Sequence, residues 1–169
     1  EETKSVINDG LTFSEKSMQD HLEAVNFQEA IAYIKDLIQR KTSFNEKDFL
    51  SLHNLILKGI ESENLGKYRN DAIIIREMNL FFNWFEANKN LLHPIILGIE
   101  SFIKITEISP FEKSSLQMAN LALNWILVYH KYFFINIEEN YNDDKSIFTN
   151  YILQKEKEVL IQAIELISK

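Results

Sequence analysis

The chain has no cysteine, only four glycines and two prolines, and no long apolar run. Each shortage excludes something. Without cysteine there is no disulfide, no Cys-based zinc site and no thiol catalysis, and a reducing cytoplasm suits such a chain. Four scattered glycines leave no P-loop, no nucleophile elbow and no Gly-rich phosphate loop. The longest apolar run, Leu121 to Tyr129, is interrupted by Asn124 and falls far short of the ~20 residues a bilayer span needs. No charged-then-apolar leader opens the chain, which begins Glu1-Glu2-Thr3 rather than with Met. The expectation is a soluble protein that makes no use of a membrane. Positive charge is also scarce: 18 Lys and Arg face 25 Asp and Glu, for a formal charge of −7 and a pI near 5.2. Nucleic acid is therefore not expected as the partner, because phosphate neutralisation needs a basic face.

What is abundant is apolar and aromatic. Of 169 residues 46% are hydrophobic, with 12 Phe, 6 Tyr and 2 Trp, enough to close one aromatic-rich core without staples. Apolar residues recur mostly at three-and-four spacing, so helices dominate. Thr12 with Glu15 has capping-box spacing for a short first helix. Phe27, Ala30, Ile31, Ile34, Leu37 and Ile38 form one stripe of a long second helix. Ser43 and Glu46 repeat the capping-box pattern before a third helix lined by Phe49, Leu52 and Ile56, which should stop near Gly59. The passage Leu65 to Ile75 reads as the one non-helical stretch, its β-branched triplet Ile73, Ile74 and Ile75 suggesting a hairpin or extended flap. Met78, Phe81, Phe82 and Phe85 mark a fourth helix. Pro94 opens a fifth that is apolar nearly all round and hence central. A sixth runs from about Leu116 to Tyr129, Asn136 and Glu139 cap a seventh, and Glu156 to Ile167 make an eighth. No repeat, linker or boundary divides residues 1–169, which read as one domain.

The four histidines, His21, His53, His93 and His130, show no metal-ligand spacing with one another or with a carboxylate on one helix face. No metal site is read from them.

The order of features carries more than any single motif. Gly66-Lys67-Tyr68-Arg69 precedes the flap, His93-Pro94 opens the next helix but one, and Ile108-Ser109-Pro110-Phe111 forms an abrupt loop before a buried apolar helix. In this order the chain resembles the Fic (Fido) family over most of its length. The resemblance implies an all-α bundle of about eight helices with a short β-hairpin flap at 65–76, an active loop at 108–117 and a remnant of an inhibitory helix at 1–20. It also implies a chemistry. Family members usually transfer AMP from ATP to a protein hydroxyl through the hallmark His-Pro-Phe-x-Asp/Glu-Gly-Asn-Gly/Lys-Arg. There the His is a general base, the acidic residue holds Mg²⁺, the Gly-Asn turn and helix start grip phosphate, and the Arg neutralises it.

Laid on this chain, the hallmark loses its chemical positions. Ser109 stands at the base and Lys113 at the metal-holding carboxylate. Ser114 and Ser115 replace the Gly-Asn turn, Leu116 follows, and Gln117 and Asn120 take the Arg positions. Only Pro110 and Phe111 survive. Loss of the base alone costs ~10²–10⁴ in rate. Asn8 stands where the inhibitory segment would carry Glu, with Asp9 one residue away. The resemblance thus implies a degenerate member: no catalytic residue, no metal, and ATP with Mg²⁺ only if the site were active. It also implies a protein partner held by Lys67, Tyr68, Arg69 and Ile73 to Ile75 with the adjoining groove, self-association being open. Two alternatives stay open. One is an active nucleotidyl transferase using His93 as base, or Glu112 with another donor. The other is a regulatory helical module of similar architecture only.

Overall fold

The computed structural model describes residues 2–135, 137 and 145–167, with side chains described from Met18 to Leu166. Six helices lie among them: α1 (Glu2–Gln39), α2 (Glu46–Ile56), α3 (Ala72–Asn88), α4 (Pro94–Ile108), α5 (Ser115–Tyr129) and α6 (Lys145–Ile167). No strand occurs among the described residues, only one isolated bridge between Lys58 and Glu61. The all-α reading holds. The expected count of eight changes because Thr12 and Glu15 sit inside a continuous α1, and because the eighth helix is the second half of α6. The cap expected from Asn136 and Glu139 lies outside the described residues.

The antiparallel neighbours α4 and α5 form the centre, with α3 and α6 against α4 and α1 and α2 bracing α5. Their apolar circumference fits that position: Leu97, Ile99, Phe102 and Ile105 on α4 and Leu121, Leu123, Trp125 and Leu127 on α5 are fully buried. Pro94 sits in the first turn of α4, where its missing N–H costs nothing. Gly98 lies within α4 against Leu123 rather than at a helix start. A second layer is aromatic. The ring of Phe44 lies 5.1–6.2 Å from those of Phe49, Phe81, Phe82, Phe85 and Trp125, within the range of favourable edge and offset contacts.

One local reading is corrected and one holds. The α2 cap is Asn45, whose side chain accepts the Asp48 N–H at 3.1 Å, not the Ser43–Glu46 box. Helix α2 ends at Ile56, three residues before Gly59, which turns the chain at φ +76°. The larger correction concerns the flap. Ile73, Ile74 and Ile75 are not extended; they form the first turn of α3, capped by Asp71 accepting the Ile73 N–H at 2.8 Å. Strand preference among β-branched residues is a matter of ~1 kcal/mol. Helix here places Ile74, Met78, Phe81 and Phe85 on one buried face, which at roughly 1.5–3 kcal/mol per side chain outweighs it.

Candidate functional site

Two loops meet at the end of the α4–α5 pair. The first, residues 109–114, leaves α4 at Ser109, which takes the left-handed conformation (φ +47°) while its N–H still bonds the Ile105 carbonyl. Pro110 follows and cannot continue the helix. Phe111 then turns inward, stacked on His53 with ring centroids 3.8 Å apart and planes 10° apart, and flanked by Phe49 and Tyr68. Ser114, again left-handed at φ +68°, occupies the α5 cap position without a side-chain cap bond. Ser115 closes the loop instead, its Oγ accepting the Phe111 N–H and donating to the Phe111 carbonyl, each at 3.0 Å.

The second loop, residues 57–71, is fastened to the first. Arg69 N–H donates to the Pro110 carbonyl at 2.9 Å, and the Arg69 guanidinium reaches the Ile108 carbonyl at 3.5 Å. Tyr68 donates its hydroxyl to Glu46 at 3.0 Å; burial, then the Glu46 charge, pushes its phenol well above the ordinary range. Tyr68 and Arg69 thus pin this loop to the body. Asn26, buried on α1, donates to the Ile56 and Lys58 carbonyls. Lys113 pairs with Glu61, and Glu112 accepts from Asn64 at 3.3 Å, so neither forms the solvated Glu112–Lys113 pair that sequence proximity suggests.

His53 is the joint between the loops, and sequence reasoning missed it. It is only 3% exposed, and its Nδ1 accepts the Gly66 N–H at 3.0 Å. Gly66 is required there: φ is +64° and a Cβ would sit 2.9 Å from the Leu50 carbonyl oxygen. With Nδ1 accepting, the proton of the neutral ring is on Nε2, so the ring offers no basic nitrogen to a substrate. Burial lowers the His53 pKa from 6.5, with the Lys113 backbone partly opposing. The unfolded chain therefore binds a proton that the folded chain refuses, and stability falls as pH drops from about 6.5 towards the folded value. His130, also lowered by burial, has the same sign, whereas buried Glu156, raised by burial, has the opposite one at lower pH. His53→Gln should flatten the acid limb of urea midpoints relative to the parent; an unchanged limb would contradict this role.

A groove lies at the start of α5, the helix after the loop. It measures about 330 Å³ and runs between α1, the end of α2 and the start of α5, with Glu23, Phe27, Ile60, Lys113, Ser114 and Gln117 in its walls. A smaller pocket of about 40 Å³ opens beside it, bounded by His53, Lys67, Arg69 and Glu112; Leu57, Glu61 and Lys113 face both. The structure therefore brings Lys113, Ser114 and Gln117 together, and Lys67 with Arg69. Pro110 and Phe111 are buried behind them, Asn120 accepts from Asn124 at 2.7 Å, and Ser109 lies in neither wall. Ile73 to Ile75 stand apart on α3. Asn8 lies on α1, its side chain outside those described. His93 is engaged elsewhere: its Nδ1 accepts the Ile95 N–H at 3.4 Å and its Nε2 meets the Tyr132 hydroxyl at 3.2 Å. It caps the far end of α4, a 15-residue helix about 22 Å long, from the 109–114 loop. Among the described residues no three His, Asp or Glu side chains are grouped to hold a metal, and no helix is long and apolar enough to cross a membrane.

No family model matches the chain. The protein adenylyltransferase Fic of Nematostella vectensis is 26% identical over 140 residues, which are 75% of this chain and 33% of that protein. The protein adenylyltransferase Fic of Culex quinquefasciatus is 23% identical over 141 residues, 75% of this chain and 28% of its own length. The chain spans about a third of the length of these relatives. Among solved structures, Fic-1 from C. elegans gives a TM-score of 0.79 at 16% identity, covering 87% of this chain and 51% of that one. A Fic domain-containing signaling protein from Bacteroides thetaiotaomicron gives 0.64 at 23% identity, covering 79% and 56%.

Proposed function

We propose that this chain, a Fic-fold domain, has lost AMP transfer and works by binding a protein partner at the surface around its two joined loops. The observation that carries the reading is the ion pair between Lys113 and Glu61. The relatives are named as protein adenylyltransferases, and the resemblance assigns the Lys113 position to the carboxylate that would hold Mg²⁺. An ammonium there repels a divalent cation, and pairing with Glu61 leaves little of its charge for phosphate. The neighbouring groove side chains, Ser114 and Gln117, carry no charge to replace it. The side chains at the hallmark positions, Lys113, Ser114 and Gln117, do not fit Mg²⁺-ATP.

The hallmark position of the proton acceptor likewise lacks a base. Ser109 has no basic nitrogen, His53 presents a protonated Nε2 and is stacked under Phe111, and His93 caps the other end of α4. What remains is a pinned scaffold with an accessible rim. The flap cannot offer strand pairing, since its triplet is helical, but Ile73 (62% exposed) and Leu80 (53% exposed) place apolar surface on α3 beside a cleft of about 250 Å³ lined by Trp84, Lys104 and Ile108. Exposed apolar side chains beside a cleft suit a protein contact. Lack of cysteine suits a reducing compartment such as the cytoplasm.

Calorimetry with ATP tests the binding half of this reading. No saturable heat is expected at millimolar ATP, with or without Mg²⁺. Mg²⁺-dependent binding in the micromolar range would overturn it.

A further inference from the structure

The end of α5 away from the 109–114 loop holds a separate pocket. It measures about 90 Å³ and lies between the C-terminal ends of α3 and α5 and residues 43–44, which follow α1. Its floor is apolar and already packed: Phe44, Phe85 and Ile126 are each no more than 3% exposed. Phe44 is held by five neighbouring rings, so the floor needs no rearrangement to receive a ligand. The mouth is polar and open. The side chains of Ser43, Asn90, Tyr129 and His130 make no hydrogen bond among the described residues, and none has a polar atom sealed from solvent. Burial therefore keeps none of them from an entering molecule. An apolar floor under a few convergent polar groups is the usual form of a small-molecule site.

We propose that this pocket binds a phenol, its ring seated on Phe44, Phe85 and Ile126 and its hydroxyl donating to His130 at the mouth. Size supports the choice. A closed cavity of ~150 Å³ takes up benzene. About 90 Å³, open on the side of exposed Asn90, holds one ring with its substituent in the mouth and no larger ring system. Charge supports it too. Among the lining residues only Lys89 is charged, and it is paired with Glu86. Its ammonium disfavours a cation. The C-terminal ends of α3 and α5 carry negative partial charge, which disfavours an anion. Burial lowers the His130 pKa from 6.5, so the ring is neutral at pH 7 and offers one nitrogen as acceptor in either tautomer. A phenol is the smallest aromatic ring that carries a donor; its faces suit the edges and faces of Phe44 and Phe85, and Ser43 and Asn90 can donate to its oxygen. The phenol is either a free small molecule or a tyrosine side chain of a partner. The site does not depend on the loss of AMP transfer.

The test is an NMR titration of the ¹⁵N-labelled chain with p-cresol, with toluene and sodium benzoate as controls, and separately with tyrosine blocked at both backbone ends. Saturable millimolar shifts of the Ser43, Asn90 and His130 amides are expected with p-cresol. Toluene, which lacks the hydroxyl, should bind several-fold more weakly, and benzoate should not bind. Saturation by p-cresol and not by blocked tyrosine assigns the pocket to free phenols; saturation by both admits a tyrosine side chain. His130→Phe keeps a ring and removes the acceptor, so p-cresol should bind it no better than toluene does. The ratio of p-cresol to toluene affinity in the parent carries the same test should that variant fail to fold. Absence of saturation, shifts spread over the whole surface, or toluene or benzoate binding as well as p-cresol would overturn the proposal.

Discussion

Replacing Phe111 by alanine is expected to destabilise the protein by about 3–5 kcal/mol, the usual cost of emptying a fully packed aromatic position. The ring is 2% exposed and touches three others from two elements: His53 and Phe49 on α2 and Tyr68 in the 57–71 loop. Its loss removes apolar burial and also the surface on which His53 is held to receive the Gly66 N–H. The urea midpoint should therefore fall steeply with little change in slope, and the Gly66 amide should exchange with solvent faster than amides in α4 and α5. A loss below about 1 kcal/mol would mean that the loops are held by their backbone bonds and not by the ring. Total stabilities of single domains are about 5–15 kcal/mol, so this one substitution tests whether the site survives as a scaffold.

Asn124→Ala should cost about 2–6 kcal/mol for a different reason. Asn124 is buried in the middle of α5, where its Oδ1 accepts the Ile135 N–H at 2.8 Å and its Nδ2 donates to the Ile135 carbonyl at 2.9 Å. A side-chain amide here does what a neighbouring strand would do, pairing both backbone groups of one buried residue. Alanine strands both, at about 1–3 kcal/mol each. Thermal unfolding of the variant measures the sum, and a melting temperature within a degree or two of the parent would show that water meets those groups instead. The same residue interrupts the apolar run Leu121 to Tyr129, so the sequence marks the position. It does not mark the purpose, because the partner lies eleven residues on and has no side-chain signature.

That contrast describes what was legible generally. Helices α4 and α5 were readable because their apolar circumference, Pro94 and the Ser109-Pro110 break are local signals with local causes. The 108–117 loop was readable by position for the same reason. The flap was misread because three consecutive isoleucines favour a strand locally, whereas Asp71 and the buried stripe from Ile74 to Phe85 decide for helix. Thr12 misled in the same way: a capping-box pair inside a longer helix terminates nothing. His53 was read only for metal-ligand spacing. Its bond to Gly66 spans 13 positions and its stack on Phe111 spans 58, contacts that no periodicity announces. Glu61, the partner of Lys113, was hidden likewise by a separation of 52 residues.

The proposal rests on one functional claim: the loop ahead of α5 is held in place through Pro110 and Phe111, while Ser109, Lys113 and Gln117 do not support AMP transfer. The direct test incubates the purified chain with Mg²⁺, isotope-labelled ATP and a cell extract, and reads label on protein, with a Ser109→His variant alongside. No label above background is expected from either, since a restored base still lacks a metal-holding carboxylate and a phosphate-binding cation. Mg²⁺-dependent labelling of any protein by the unaltered chain would contradict the claim.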